Sequence, residues 1–308
     1  MARINIVHTT EYTYRNPVGL LRHRLMVRPD DSHDLRLHHA TLEVQPKPAA
    51  MYWKHDAFDN SICFLEWPDT LRTKRLSIVS TLDLMHHPEG QPLPAYALDS
   101  TAELFPFSYA PSEIPDLARL AERQLPDPDR KVDAWARRIV AEAGSDQTLK
   151  VLEAMTHAIK QEIRYGARHE EGTQTAARTL ELGSGTCRDF AVLMMEALRS
   201  FGLAARFVTG YLYDDTSGAI QGGGSTHAWC STYLPGAGWV EYDPTNGLIA
   251  GANLIRVGAT REAEQALPIS GGFIGNSDDP AGLHVDVSVR AVSMQMSHAT
   301  TQVSGNTP

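Results

Sequence analysis

Apolar and polar side chains alternate with a period of two along the first hundred residues. In RINIVHTTEYTYR, Ile4, Ile6, Tyr12 and Tyr14 fall on one parity with polar residues between them, the pattern of a half-buried strand. LRHRLMVRP, ATLEVQP, SICFLEW and RLSIVSTLDLM read as further strands, punctuated by Pro17, Pro29, Pro46, Pro48 and Pro68. Strands do not alternate with helices here, so an antiparallel sandwich or barrel is expected. HHPEGQPLPAY reads as a connector.

The period changes near residue 111. Ser112 and Pro115 stand where helix starts place them. Val132, Trp135, Ala136, Ile139 and Val140 share one helical face, and Gly144 ends it. Leu149, Leu152, Thr156, Ile159 and Ile163 make a second such face. A third runs through Phe190, Ala191, Met194, Ala197, Leu198 and Phe201 to a stop at Gly202. Strands return with AARFVTGYLY, THAWCSTYL and GWVEYD. LHVDVSVRAVSM alternates at Leu283, Val285, Val287 and Val289. The expected organisation is α+β: an all-β N-terminal domain over 1–100, a second domain over 101–296 and a flexible tail over 297–308.

Composition narrows the function classes. The chain has 308 residues, 42% hydrophobic, with a formal net charge of −9. A packed globular protein is expected, and the negative balance argues against nucleic acid or an anionic membrane as partner. No apolar run reaches the length of a membrane span, and the N-terminus lacks a signal-peptide pattern. The three cysteines, Cys63, Cys187 and Cys230, are odd in number and widely spaced. They do not form a disulfide framework, and a reducing cytoplasm is the expected compartment.

Cys187 opens the helix that carries the third of these faces. Thr186 and Asp189 have the Thr-x-x-Asp spacing of a capping box, which puts the thiol in the first turn. The N–H groups left without partners there, and the positive end of the dipole, favour a thiolate and could hold an oxyanion. The competing reading is a buried, inert thiol. Asp189 reads as a cap. Arg188 reads as a salt-bridging group or a guard at the site mouth. A thiol nucleophile needs a base, and the base an orienting group. His227 starts one strand, and Asp243 ends the next, beside the glycines 222–224, a candidate lid. An odd-length turn, Pro235–Ala237 or Leu234–Gly238, would place Asp243 opposite Trp229 and diagonal to His227 on the same face. A four-residue turn would separate them. Cys230 and Cys63 read as core. A zinc site from Cys187, His227 and Cys230 lacks the usual close ligand pairs, so no metal or cofactor is expected.

GTCRDFAVLMMEALRSFGLAARFVTGYLY and THAWCSTYLPGAGWVEYDPTNG, with the order Cys, His, Asp, resemble bacterial transglutaminase-like proteins. YTYRNPVGLLRHRLMVRP resembles the β-rich region often joined to that core. The resemblance implies a papain-like fold, with the cysteine helix packed on an antiparallel sheet. It implies Cys187 as nucleophile, His227 as base and Asp243 as orienting acid. It further implies a thioester acyl-enzyme on a peptide, protein or small-amide substrate. Hydrolysis is the expected outcome. Amine-accepting cross-linking, and a non-catalytic binding module on the same fold, are the alternatives. The chain departs from animal transglutaminases in having Arg188 rather than tryptophan beside the cysteine, and it shows no clustered calcium ligands. Tyr165 is an oxyanion candidate by position, with a core role as the alternative. Trp229 and Tyr211 could line the cleft or fill the core.

Overall fold

The computed structural model describes residues 2–87, 97–166, 172–213, 225–249, 251 and 253–292. The connector over 88–96, the glycines 222–224 and the tail over 297–308 therefore lie outside the described residues.

The alternating segments form β1 (Ala2–Leu20), β2 (His23–Leu25), β3 (Leu35–Gln45), β4 (Ala50–His55), β5 (Ser61–Glu66) and β6 (Thr73–His86). They build two antiparallel sheets. In one, β1 lies between β6 and later strands, with β3 beyond β6; in the other, β2, β5 and β4 are adjacent. Their facing sides enclose a core of Tyr14, Val18, Leu25, Val44, Cys63, Leu65, Leu76 and Ile78. This is the sandwich the period-two pattern requires. The other end of β1 is continuous with a second core. Ile4, Ile6, Leu82 and Leu84 pack in the same cluster as the helices that follow.

The helices are α1 (Ile114–Ala121), α2 (Lys131–Glu142) and α3 (Thr148–Glu162). The short strand β7 (Arg164–Tyr165) comes next, then α4 (Ala176–Leu182), β8 (Ser184–Gly185) and α5 (Cys187–Arg199). Every residue of α5 from Asp189 to Arg199 is buried, the mark of a central helix rather than an amphipathic cover. Two of its buried charges pair with each other: Arg199 Nη1 donates to Glu196 at 2.9 Å, and Arg123 Nε donates to the same carboxylate at 3.0 Å. Such a pair is costly to break from one side. The α4 helix is not evident in the residue pattern; Thr175 caps it by accepting the Arg178 N–H.

Behind α5 lies an antiparallel sheet of β9 (Ala205–Leu212), β10 (His227–Leu234), β11 (Gly238–Asp243), β12 (Leu248–Ile249) and β13 (Leu254–Thr260). Its order is β12-β11-β10-β9-β13. Gly210 on β9 has no room for a side chain. A Cβ there would overlap the Ile255 carbonyl oxygen and the Trp229 indole, so the indole can lie across the strand.

The chain then goes back to the first domain. β14 (Ile269–Ser270) pairs with β2, and β15 (Phe273–Ile274) and β16 (Pro280–Val292) pair with β1. The sequence-based boundary at 296 is therefore corrected: residues 269–292 complete the N-terminal sheets. The periodicity of β16 identifies a strand, but period alone carries no information about which edge it joins. Its expected inward face is also only partly buried. Leu283 and Val285 are exposed, whereas Val287 packs into the core. One further tie joins the two units: Asn60 donates to the Ala259 carbonyl at 2.9 Å and accepts the Ala259 N–H at 2.8 Å, so its amide stands in for a strand residue.

Candidate active site

Cys187 is the first residue of α5, and Thr186 is its N-cap with extended backbone. Asp189 carries the cap. Its Oδ2 accepts the Thr186 N–H at 2.8 Å and the Thr186 hydroxyl at 2.9 Å. The same carboxylate accepts the Gln174 N–H at 2.7 Å and the Gln174 amide at 3.1 Å. This buried cluster fixes the loop before α4 to the start of α5. No local signal in the sequence marks Gln174, whose partner lies 15 positions away. The first N–H groups of α5, including that of Cys187, have no partner within the helix. They are suited to negative charge on an atom held before the helix.

The β10–β11 hairpin has the required register. Cys230 pairs with Tyr242 and Leu234 with Gly238, leaving the three-residue turn Pro235–Ala237. Extending that register places Asp243 beside Trp229 and diagonal to His227. The two polar side chains meet: His227 Nε2 donates to Asp243 Oδ2 at 2.9 Å, with both side chains fully buried. The remaining acceptor capacity of Asp243 is also used. Its Oδ1 accepts the Thr245 N–H at 2.9 Å, and its Oδ2 accepts the Asn246 amide at 2.8 Å. Asn246 is absent from the candidates read off the sequence, although the turn-forming DPTN run is a signal at that position.

Electrostatics follow from this packing. Burial opposes charge on His227, but the Asp243 carboxylate outweighs it and raises the imidazole above its ordinary value. Cys187 is the next contributor, raising it further. Burial likewise opposes charge on Asp243. The imidazole and the hydrogen bonds from Asn246 and Thr245 outweigh it and hold the carboxyl below the usual range. Nδ1 makes no hydrogen bond of ordinary geometry. The ring is thus held through Nε2 by its carboxylate partner.

The remaining candidates separate. Tyr165 is half-buried beside the site. β7 pairs in parallel with β8, setting Tyr165 against Gly185, two residues before Cys187. Its ring packs edge-on to Phe190 at 6.1 Å. Burial, followed by the charges of Cys187 and Asp243, pushes its phenol up to about 12, so it remains an O–H donor. Arg188 does not point into the cleft: its guanidinium donates to the Ala263 carbonyl at 2.5 Å and lies 4.8 Å from the Phe207 ring centre. Trp229 and Tyr211 are fully buried. Trp229 stacks on His227 with ring centres 5.9 Å apart, so it supports the imidazole from behind. Cys63 and Cys230 are buried. Among the described residues, no three His, Cys, Asp or Glu side chains gather to hold a metal ion.

Residues 133–244 match the transglutaminase-like superfamily, and residues 4–84 match the bacterial transglutaminase-like N-terminal region. The chain therefore belongs to the transglutaminase-like superfamily and carries the bacterial N-terminal region in front of the core. It is 27% identical to an uncharacterized protein of Mycobacterium tuberculosis, over 95% of this chain and 93% of that protein. An uncharacterized protein of Mycobacterium leprae is 32% identical over 34% of this chain and 37% of its own length. A Cytophaga hutchinsonii crystal structure, of a protein proposed to be a cysteine protease, superposes with a TM-score of 0.66. The overlap covers 95% of this chain and 92% of that one at 17% identity, so the whole two-part fold is shared.

Proposed function

We propose that the protein is a cysteine-dependent hydrolase of amide or peptide bonds. The observation that carries this reading is the buried His227–Asp243 pair placed beside a partly exposed Cys187 at the start of α5. The Cys187 proton passes to His227, and Sγ attacks the carbonyl carbon. Asp243 holds the imidazole and stabilises its positive charge. The oxyanion faces the α5 N-terminus and the Tyr165 hydroxyl. Collapse breaks the C–N bond, and His227 returns its proton to the leaving amine. Water then attacks the thioester, losing a proton to His227, and the acid departs as the thiol re-forms. The three free cysteines support a reducing compartment, the cytoplasm, which fractionation of cells expressing tagged protein would test.

The test is mass spectrometry of a peptide library incubated with the protein and a labelled primary amine. Wild type should release shortened peptides or deamidated side chains without incorporating the amine, and Cys187→Ala should do neither. Incorporation of the amine would replace hydrolysis by cross-linking. Turnover persisting in Cys187→Ala would remove the catalytic reading. Tyr165→Phe should lower kcat by about 10²-fold with little change in KM, measured on the best peptide from the same library.

A further inference from the structure

A cavity of about 530 Å³ lies between the N-terminal sheets and the side of the β9–β13 sheet that bears Trp239 and Glu241. No residue of the Cys–His–Asp set lines it. Its volume is in the range of small-ligand sites. The two walls carry opposite charge.

On the core-sheet wall, Arg256 is matched: its Nη1 donates to Glu241 at 2.9 Å. Arg206 is not matched. Its guanidinium stacks 3.8 Å above the Trp239 ring, and Nε reaches the Ser231 hydroxyl at 3.5 Å. Among the described residues it has no carboxylate within ion-pair distance. A guanidinium has five N–H donors in a planar fork, and Arg206 is among the residues lining the cavity. Burial, then the like charge of Arg256, lowers its pKa to about 10 against the more distant carboxylate of Glu241.

On the opposite wall, Asp30 and Asp59 are exposed at the cavity. Asp30 accepts the Ser61 hydroxyl at 2.6 Å, and Asp59 has His55 at 3.7 Å. Asp31 is already paired with Arg36 at 3.1 Å. An anion alone would meet these carboxylates, and a cation alone would meet Arg206. A molecule with both charges satisfies both walls.

We propose that this cavity binds a small zwitterion, a free amino acid or dipeptide, with its carboxylate on Arg206 over Trp239 and its ammonium on the Asp30–Asp59 wall. Bidentate geometry favours the planar carboxylate at Arg206. Glu241 lines the cavity and also faces Trp229, the indole stacked on His227, so an occupied cavity borders the support of the imidazole.

The test is calorimetric titration of alanylalanine into the full-length Cys187→Ala protein, in which catalysis cannot consume the ligand. N-acetyl-alanylalanine and alanylalanine amide are titrated in parallel. The expected result is one saturable site, at least tenfold weaker for each blocked form and lost in Arg206→Gln. Thermal melting checks that variant. If it is unfolded, the double variant Asp30→Asn/Asp59→Asn, altered at two exposed positions, replaces it and should weaken binding at least tenfold. Absence of saturable binding, equal binding of the blocked forms, or binding unchanged in the folded wall variant overturns the proposal. Because binding is read without turnover, its failure is separable from failure of the hydrolase reading.

Discussion

His8 and His227 are both buried, with exposures of 3% and 1%, yet their surroundings differ in one respect. His8 on β1 has neutral partners: Nδ1 lies 3.1 Å from the Tyr211 hydroxyl, and Nε2 lies 3.1 Å from the Thr10 hydroxyl. Burial alone lowers its pKa to about 4. His227 has a carboxylate at 2.9 Å, and its pKa is raised despite greater burial. One imidazole is a neutral joint between β1 and the core sheet. The other has its charged form favoured by a carboxylate partner, as the proposed base requires. Burial does not distinguish a structural histidine from a reactive one; the charge of its partner does.

The sharpest way to break the comparison is to delete each ring. His227→Ala should lower kcat/KM by about 10⁴-fold or more, the scale of losing a base that acts as a unit with its nucleophile. His8→Ala should leave turnover within about threefold and lower stability by about 1–3 kcal/mol, the cost of unpaired buried partners. Steady-state kinetics and urea unfolding separate the two outcomes. Asp243→Asn tests the charge rather than the ring. It should retain the fold and lose about 10³- to 10⁴-fold in kcat, because the imidazolium loses its counter-charge. The Thr245 N–H would still hold the one remaining oxygen of the new amide.

The pH dependence should have opposite signs at the two rings. For His8 the folded pKa is depressed, so between about 4 and 6.5 the unfolded chain binds the extra proton. Its linkage term therefore costs stability as pH falls through that window. His8→Gln should flatten that part of a stability–pH curve. For His227 the folded pKa is raised, so its contribution is complete below about 6.5 and fades as pH rises through the folded value. The Asp243 contribution is present above about 3.9 and fades as pH falls through its depressed value. Asp243→Asn should remove both, which unfolding of wild type and variant across about pH 2 to 10 would measure. The smallest expected effect is that of Tyr211→Phe. It removes the hydroxyl beside His8, lowers stability by about 1 kcal/mol and leaves kcat unchanged.

The sequence is informative where chemistry and periodicity act locally. The Thr186–Asp189 spacing locates the start of α5, and the parity of the THAWCSTYL and GWVEYD strands states the turn length that would unite His227 with Asp243. The three-residue turn satisfies it. Arg188 and Trp229 are less legible. Their positions beside reactive residues are plain, but Arg188 turns to the Ala263 carbonyl and Trp229 packs behind the imidazole. Side-chain direction at those positions depends on elements distant in the chain.

By itself, the sequence determined the period of the longer elements, the cap that starts α5, the turn parity under which His227 and Asp243 would share a face, and the family resemblance carried by three motifs. These depend on residues a few positions apart or on one hairpin. Only the tertiary structure decided that residues 269–292 complete the first domain, that Gln174 joins the α5 cap and that oppositely charged walls enclose a cavity with Arg206. Each of these contacts joins residues whose separation along the chain is not encoded in any local pattern. Sheet edges present equivalent N–H and C=O groups to any strand, so the choice of partner is made by packing of the whole core.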